Sequence, residues 1–377
     1  MRAGKELEMA SPFRADHVGS LLRSPELLRA RASHITASDI MAIEDRYVLQ
    51  VLQRQKEIGL DIFTDGELRR TNFMSDFTDA VEGFDFGDSV QRKWKDDEEE
   101  EQHSAAPVSS INGIVTSALQ QRQPLTGREL PFLKEHAPGP IKITLPSATQ
   151  FPAISFKYGV TDAIYSDPYA LLRAITAIMS EDIGSLAANG ISYLQIDAPR
   201  YSYYLDRKWT SWMEKELRVD PAQMLTASLD ADNACFAAAR HPGVTLAIHL
   251  CRGNNRSHWY AEGGYDAIAE RLFHELAVDR FLLEYDDERS GTFEPLRFVP
   301  KGKVVVLGLV STKRPALERK EDLLRRIDEA ARFVPLEQLA LSPQCGFAST
   351  MEGNLLTEDE QWAKLQLVVD TARTVWG

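Results

Sequence analysis

The sequence predicts an α/β protein, a (β/α)8 TIM barrel, and three observations lead there. Eight short, nearly continuous apolar runs recur along the 377 residues. Most are separated by stretches of helical periodicity, at spacings that suit βα units. The runs end in polar residues, namely Ser20, Glu67, Ser147, Asp197, His249, Cys251, Glu284, Ser311 and Cys345. Apolar runs suit parallel strands buried on both faces. Polar strand ends suit a barrel, whose active site lies at the C-terminal rim of its strands. A doubly wound open sheet is the competing arrangement, but no G-x-G-x-x-G turn follows the first strand. The chain is read as one domain, 1–377, with an inserted excursion around residues 77–139.

Taken in order, residues 13–20 form the first expected strand and run into Gly19-Ser20. Ser24 then caps a helix with Pro25 at its first position. A second helix, about 38–58, carries Ile40, Ile43, Val48, Val51 and Leu52 at broadly helical spacing. The second strand, 59–67, ends in Asp65-Gly66-Glu67. The segment 77–139 breaks the rhythm with an acidic run at 95–101, which reads as a solvated loop within a hairpin or lid beside the active face. Strands at 141–147, 191–199, 244–251, 281–285, 303–310 and 338–345 follow. Helices are expected near 168–189, 221–240, 265–276, 319–333 and 358–375.

Composition narrows the function classes. Hydrophobic content of 44% and charged content of 26% are ordinary for a globular protein. A formal charge of −13 argues against a general nucleic-acid or anionic-membrane binder, leaving room for a local basic pocket. Three cysteines make no disulfide framework, which suits a reducing compartment. No apolar leader core and no membrane-length apolar run occurs, so a soluble, cytoplasmic protein is expected.

The chemistry centres on 244–251. His249 and Cys251 are two apart on a strand, so both side chains face the same way, about 7 Å apart along the backbone. Imidazole and thiolate are ligands of a soft metal site, with zinc (Zn2+) the first choice. Cys345 ends another apolar run, before Gly346, and is a third candidate ligand; Glu284 is a fourth. A lone His or Cys at a strand end is more often a packed core residue. Two of only three cysteines ending apolar strands in the same way tilts the balance. Cys235, on a helix, reads as packing.

Together these motifs resemble the catalytic barrel of cobalamin-independent methionine synthase, over nearly the whole chain. The resemblance implies that His249, Cys251, Glu284 and Cys345 ligate zinc, with Glu284 or water as the labile ligand. It implies that Glu67 and Asp197, in Asp65-Gly66-Glu67 and Ile196-Asp197-Ala198-Pro199, hold the amino group of homocysteine. It further implies that Gly19 and Ser20 grip the substrate carboxylate. Two features depart from that family. Ile154 stands where a Trp contacts the pterin, and 309–315 has no His at the proton donor's place. The chain also resembles the epoxyalkane:coenzyme M transferases (2-hydroxypropyl-CoM lyases), in which zinc activates the coenzyme M thiol to open an epoxide.

The common denominator is zinc-dependent alkyl transfer to a thiol, with Glu284 and Asp197 as catalytic residues. Lacking the folate-specific features, the chain is expected to be an epoxyalkane:coenzyme M transferase. Arg252, Lys313, Arg314 or Arg200 would then bind the sulfonate, and Tyr203, Tyr204 or His258 would give the proton. Methyl transfer from folate or a methyl-corrinoid to homocysteine is the alternative. A metal-free lyase of the uroporphyrinogen decarboxylase type and a non-catalytic zinc or corrinoid module are further options. The expected partners are a small-molecule thiol, an alkyl donor and a second copy of the chain as a homo-oligomer.

Overall fold

The computed structural model describes residues 13–33, 35–90 and 113–377. Six parallel strands form one sheet in the order β3-β4-β5-β6-β7-β8. They are β3 (Lys142–Pro146), β4 (Tyr193–Asp197), β5 (Thr245–Leu250), β6 (Arg280–Glu284), β7 (Val304–Val310) and β8 (Leu339–Pro343). The sheet curls until two extended segments meet its edges. Ala15 bridges Leu341 in parallel on one side, and Phe63 bridges Ile141 in parallel on the other. This arrangement is consistent with the expected (β/α)8 barrel.

The first two expected strands differ from the rest: each is an extended segment with a single bridge rather than a ladder. Polar groups join them instead. Leu21 donates its N–H to the Gly66 carbonyl at 2.9 Å. The Thr64 hydroxyl donates to the Gly19 carbonyl at 3.2 Å, and His17 Nε2 lies 3.3 Å from the Ile62 carbonyl. Asp16, His17 and Gly19 leave this run short of the apolar, β-branched residues that favour a full strand.

The floor of the barrel is a buried charge network. Lys142 Nζ donates to Asp16 Oδ1 at 2.9 Å, and Tyr193 donates to Asp16 Oδ2 at 2.8 Å. Arg280 lies 3.5 Å from the same carboxylate. These cations hold the Asp16 carboxyl below its ordinary pKa although burial opposes it. The first residues of β3, β4 and β6 supply the three partners, so the network pins the N-terminal ends of the strands.

The helices follow the capping chemistry of the sequence. α1 (Pro25–Ala32) begins with Ser24 accepting from the Leu27 N–H, and α2 (Ala37–Ile58) with Thr36 accepting from that of Asp39. Gly59 ends α2 in the left-handed region at φ 87°. In the excursion, α3 (Ser75–Ala80) leads into an antiparallel hairpin of β1 (Val81–Asp85) and β2 (Ile114–Gln121), and α4 (Glu129–His136) returns to the barrel. The acidic run at 95–101 lies outside the described residues. After the short α5 (Gln150–Ser155), α6 (Pro168–Ala188) and α8 (Pro221–Ala239) are each capped by an Asp ahead of a Pro. The expected helix near 265–276 is a 3-10 turn followed by α9 (Ala269–Glu275). α7 (Arg207–Lys215), which the sequence reading missed, sits between β4 and α8. α10 (Lys320–Ala330) and α11 (Glu358–Trp376) close the chain, the latter with a Thr357–Glu360 capping box. Among the described residues, no helix is long and apolar enough to cross a membrane.

Candidate metal centre and active site

His249 lies near the end of β5, Cys251 just past it and Cys345 just past β8. Their ligand atoms all lie within 4.8 Å of one another, in a buried cluster. The His249 ring is set by its other nitrogen, since Nδ1 lies 3.3 Å from the Leu282 carbonyl. That leaves Nε2 facing the thiols, buried and without a hydrogen-bond partner. Burial alone would pull the His249 pKa down, but Cys345, Asp197 and Glu284 raise it. The Cys345 thiol is pushed well above its ordinary pKa, first by its hydrogen bond with Cys251 and then by burial. An orphaned imidazole nitrogen facing two thiols is a donor set that suits a divalent ion.

Glu284 ends β6 beside the cluster but is not one of its three donors. It is fully buried, and its Oε2 accepts the Arg252 N–H at 2.8 Å. Its Oε1 has no hydrogen-bond partner. A buried carboxylate oxygen left open in this way is costly unless another group completes it.

A second group of carboxylates lies alongside. Asp197 pairs in register with His249 across β4 and β5. Burial raises its carboxyl to about 7, with His249 opposing and Glu67 adding to the rise. Gln195 donates to Asp197 Oδ1 at 2.7 Å and to the Val18 carbonyl at 2.6 Å. Glu67 accepts from the Thr144 hydroxyl at 2.8 Å through Oε1, while Oε2 is buried and unpartnered. Glu67 is aimed by a strained turn: Gly66 and Glu67 both have positive φ, 72° and 55°. The Asp65 carboxylate accepts the Glu67 N–H at 2.7 Å and holds that turn.

Gly19 and Ser20 meet this group from the first segment. A Cβ on Gly19 would lie 2.8 Å from Thr144 Cγ2 and 3.0 Å from Glu67 Oε1, and its φ is +138°. Ser20 packs on Gly346, where a Cβ would sit 1.9 Å from the Ser20 hydroxyl. Gly346 is thus a steric requirement of Ser20, and Gly19 one of Thr144 and Glu67. Asn254 completes the link, donating to the Gly346 carbonyl at 2.7 Å.

Comparison with known proteins agrees with this geometry. The sequence profile of the family described as "Cobalamin-independent synthase, Catalytic domain" matches residues 23–374. The chain belongs to that family. The family is one of enzymes, methionine synthase-like methyltransferases. The chain is 41% identical over 381 residues to the uncharacterized protein YxjH of Bacillus subtilis (strain 168), covering 98% of this chain and 97% of that one. It is 23% identical over 341 residues to a 5-methyltetrahydropteroyltriglutamate–homocysteine methyltransferase of Synechococcus sp. (strain JA-2-3B'a(2-13)), covering 89% of this chain and 40% of that enzyme. A crystal structure from Listeria monocytogenes, assigned as a vitamin-B12 independent methionine synthase, matches at a TM-score of 0.72 and 27% identity, covering 98% and 99% of the two chains. None of these similarities points to an epoxyalkane:coenzyme M transferase, and the preference reached from the missing folate features gives way to the methyl-transfer alternative.

Within this family member, several expected anion and proton groups are engaged elsewhere. Arg252, expected to anchor substrate, donates to the Gly263 carbonyl from Nε at 3.1 Å and Nη2 at 2.6 Å, and to Tyr265 from Nη1 at 3.2 Å. Its backbone N–H reaches the Glu284 carboxylate at 2.8 Å, and Nη1 lies 3.4 Å from the Glu284 backbone carbonyl. Lys313 donates to the Gly253 carbonyl at 2.8 Å and to Asn254 Oδ1 at 3.2 Å, bracing the loop after Cys251. Arg200 stacks on Tyr203 and Tyr260. Tyr204 shares a hydrogen bond with Ser228, and His258 Nδ1 lies 2.9 Å from the Arg256 carbonyl. Arg314 is exposed. Cys235 is a packing residue, its thiol pushed up to about 12 by burial.

Thr144, Gln195 and Arg70 are parts of the site that sequence reasoning missed. The first two carried a signal, being polar residues inside buried strands at inward positions. Arg70, which donates to Thr144 Oγ1 and Glu129, carried none.

Proposed function

We propose that the protein transfers a methyl group to the thiol of homocysteine, taking it from a folate-type or corrinoid-type donor. The observation that carries this reading is the placement of two buried carboxylates, Glu67 and Asp197, next to the His249–Cys251–Cys345 cluster. A ligand cation would complete them, because Glu67 Oε2 has no partner and burial raises the Asp197 carboxyl to about 7. Homocysteine brings an ammonium group to meet them; coenzyme M has none.

His249, Cys251 and Cys345 would hold a zinc ion, with the open Oε1 of Glu284 as the adjacent fourth donor. Zinc bound there would lower the pKa of the substrate thiol, so that the nucleophilic thiolate forms at neutral pH. Glu67 and Asp197 fix the amino group and so orient the substrate sulfur towards the cluster. Gly19 and Ser20, packed against Glu67 and Gly346, form the wall that receives the carboxylate. The Arg252 N–H holds Glu284 in place through Oε2 and leaves Oε1 free to move on or off a ligand. Burial of all these groups excludes water, which strengthens each charge interaction.

Calorimetry of the zinc-loaded protein tests the assignment. Homocysteine is expected to bind with release of about one proton per zinc, and coenzyme M to bind far more weakly. Turnover with methyl-folate or methylcobalamin then distinguishes the donors. Tight coenzyme M binding without homocysteine binding would overturn the proposal.

A further inference from the structure

We propose that Asp76, on α3 at the root of the hairpin, is a positioning residue for substrate recognition. It holds the Arg70 guanidinium off Glu67 and so keeps that carboxylate free for the substrate's ammonium group. The inference rests on the homocysteine reading above and adds a residue of the excursion to it.

Arg70 is the joint between the two carboxylates, and it is buried. Its Nε pairs with Asp76 Oδ2 at 2.7 Å and its Nη2 with Glu129 Oε2 at 2.8 Å. Nη2 also donates to the Thr144 carbonyl at 2.9 Å, and Nη1 to the Thr144 hydroxyl at 3.0 Å. Glu67 comes last, its Oε1 lying 3.5 Å from Nη1. A guanidinium beside a carboxylate ordinarily closes to about 2.7–2.9 Å, often through both oxygens. Here it does not close, and Glu67 Oε2 stays buried without a partner. The carboxylates on α3 and α4 have taken the guanidinium first.

Charge in this cluster is unequal. Asp76, Glu129 and Glu67 share one guanidinium, while Asp65 is met by Arg69 at 3.1 Å. Burial raises the Asp76 carboxyl to about 7, with Arg70 opposing and Asp65, Glu67 and Asp79 adding to the rise. Glu129 is raised well above its ordinary value, first by burial. Above about pH 7, then, Asp76 answers the Arg70 charge and leaves Glu67 to a ligand cation. Below it Asp76 takes up a proton, and Arg70 is left to turn towards Glu67. The backbone around Asp76 does not depend on that charge. The Phe73 N–H donates to the Ser349 carbonyl at 3.0 Å and the Met351 N–H to the Thr71 carbonyl at 2.8 Å, which fixes the chain between Glu67 and α3.

The test compares the zinc-loaded parent with its Asp76→Asn variant by calorimetry, using homocysteine and 4-mercaptobutanoate, which lacks only the amino group. At about pH 8 the variant is expected to bind homocysteine about tenfold more weakly than the parent, and 4-mercaptobutanoate equally well. At about pH 6 the parent has itself lost the Asp76 charge, so the two proteins should differ little. The Tm of the variant at about pH 8 should be unchanged or raised, because burial favours the neutral side chain. An ion pair that only fastens the hairpin would instead lower the Tm and weaken both thiols alike. Asp76→Ser is a second neutral replacement should the amide not be accommodated. A crystal structure of either variant is expected to show Arg70 within about 3 Å of Glu67. An unmoved guanidinium, equal losses for both thiols, or the same homocysteine preference in parent and variant at about pH 8 would overturn the proposal and leave the homocysteine reading standing. A parent that does not prefer homocysteine would overturn both.

Discussion

Glu67→Gln separates a substrate-binding role for Glu67 from a structural one. The substitution keeps the shape and Oε1, which accepts from Thr144 at 2.8 Å, and removes only the charge. Arg70 loses a contact of 3.5 Å but retains Asp76 at 2.7 Å and Glu129 at 2.8 Å. The new amide is buried where the unpartnered Oε2 was, so one unmet group replaces another and stability should change by less than about 1 kcal/mol. Homocysteine binding should change far more. Loss of a charged hydrogen bond in this buried setting is worth about 2 kcal/mol, or about thirtyfold in affinity. Asp197 remains to hold the ammonium, so binding is weakened rather than abolished. The assay is calorimetry with homocysteine and with 4-mercaptobutanoate, which has the same chain without the amino group. The expected result is a large loss for homocysteine and no change for the deaminated thiol, with kinetics showing the loss in KM more than in kcat. If both thiols weaken equally, Glu67 serves the fold and not the amino group.

Cys345→Ser should lower zinc affinity by at least about tenfold, because a thiolate donor is lost, as read by chelator competition and metal analysis. Asp232 is buried under hydrogen bonds from Ser147 and Tyr201, and burial lifts its carboxyl from 3.8 to about 7. The folded state therefore holds this proton more tightly than the unfolded chain, and the stabilisation it gives is full below pH 3.8 and lost as pH rises through about 7. Asp232→Asn should accordingly gain stability relative to the parent between pH 5 and 8, by up to about 4 kcal/mol; urea denaturation across that range would show a constant difference if the argument fails. Asp16→Asn leaves Lys142 buried without its counter-charge and should cost about 3–5 kcal/mol, measured by the same denaturation, with unchanged homocysteine affinity in the protein that remains folded.

Much of the architecture could be read from the sequence because apolar runs and helix caps are local signals. Ser24-Pro25 announced a helix that the structure contains, and the helices expected near 168–189 and 221–240 are present as α6 and α8. The weak ladders of the first two segments were not legible, because Asp16 and His17 look from the sequence like ordinary strand-end polar residues. The cluster of His249, Cys251 and Cys345 was visible because soft donors are rare and their strand-end placement is a pattern. The fates of Arg252 and Lys313 were hidden. Which carbonyls a guanidinium or ammonium reaches depends on loops brought together by the fold, and no spacing encodes that. The lean towards coenzyme M finds no support in the comparisons, and the reason is related: it weighed two missing donor-side features above the retained carboxylates, whose burial and open valences only three dimensions reveal.

The contact between Ser20 and Gly346 also has a temporal side. In the folded protein the third soft donor, Cys345, sits beside a contact between residues near the two ends of the sequence. A chain emerging from the ribosome therefore carries His249 and Cys251 well before Cys345 exists to join them. Any ion those two residues capture early is held by an incomplete set and exchanges readily. If the three donors hold an ion, full capture would await closure of the barrel seam, where the last strand bridges the first segment and Gly346 packs on Ser20. Slow-exchanging metal would thus be a readout of molecules that have finished folding.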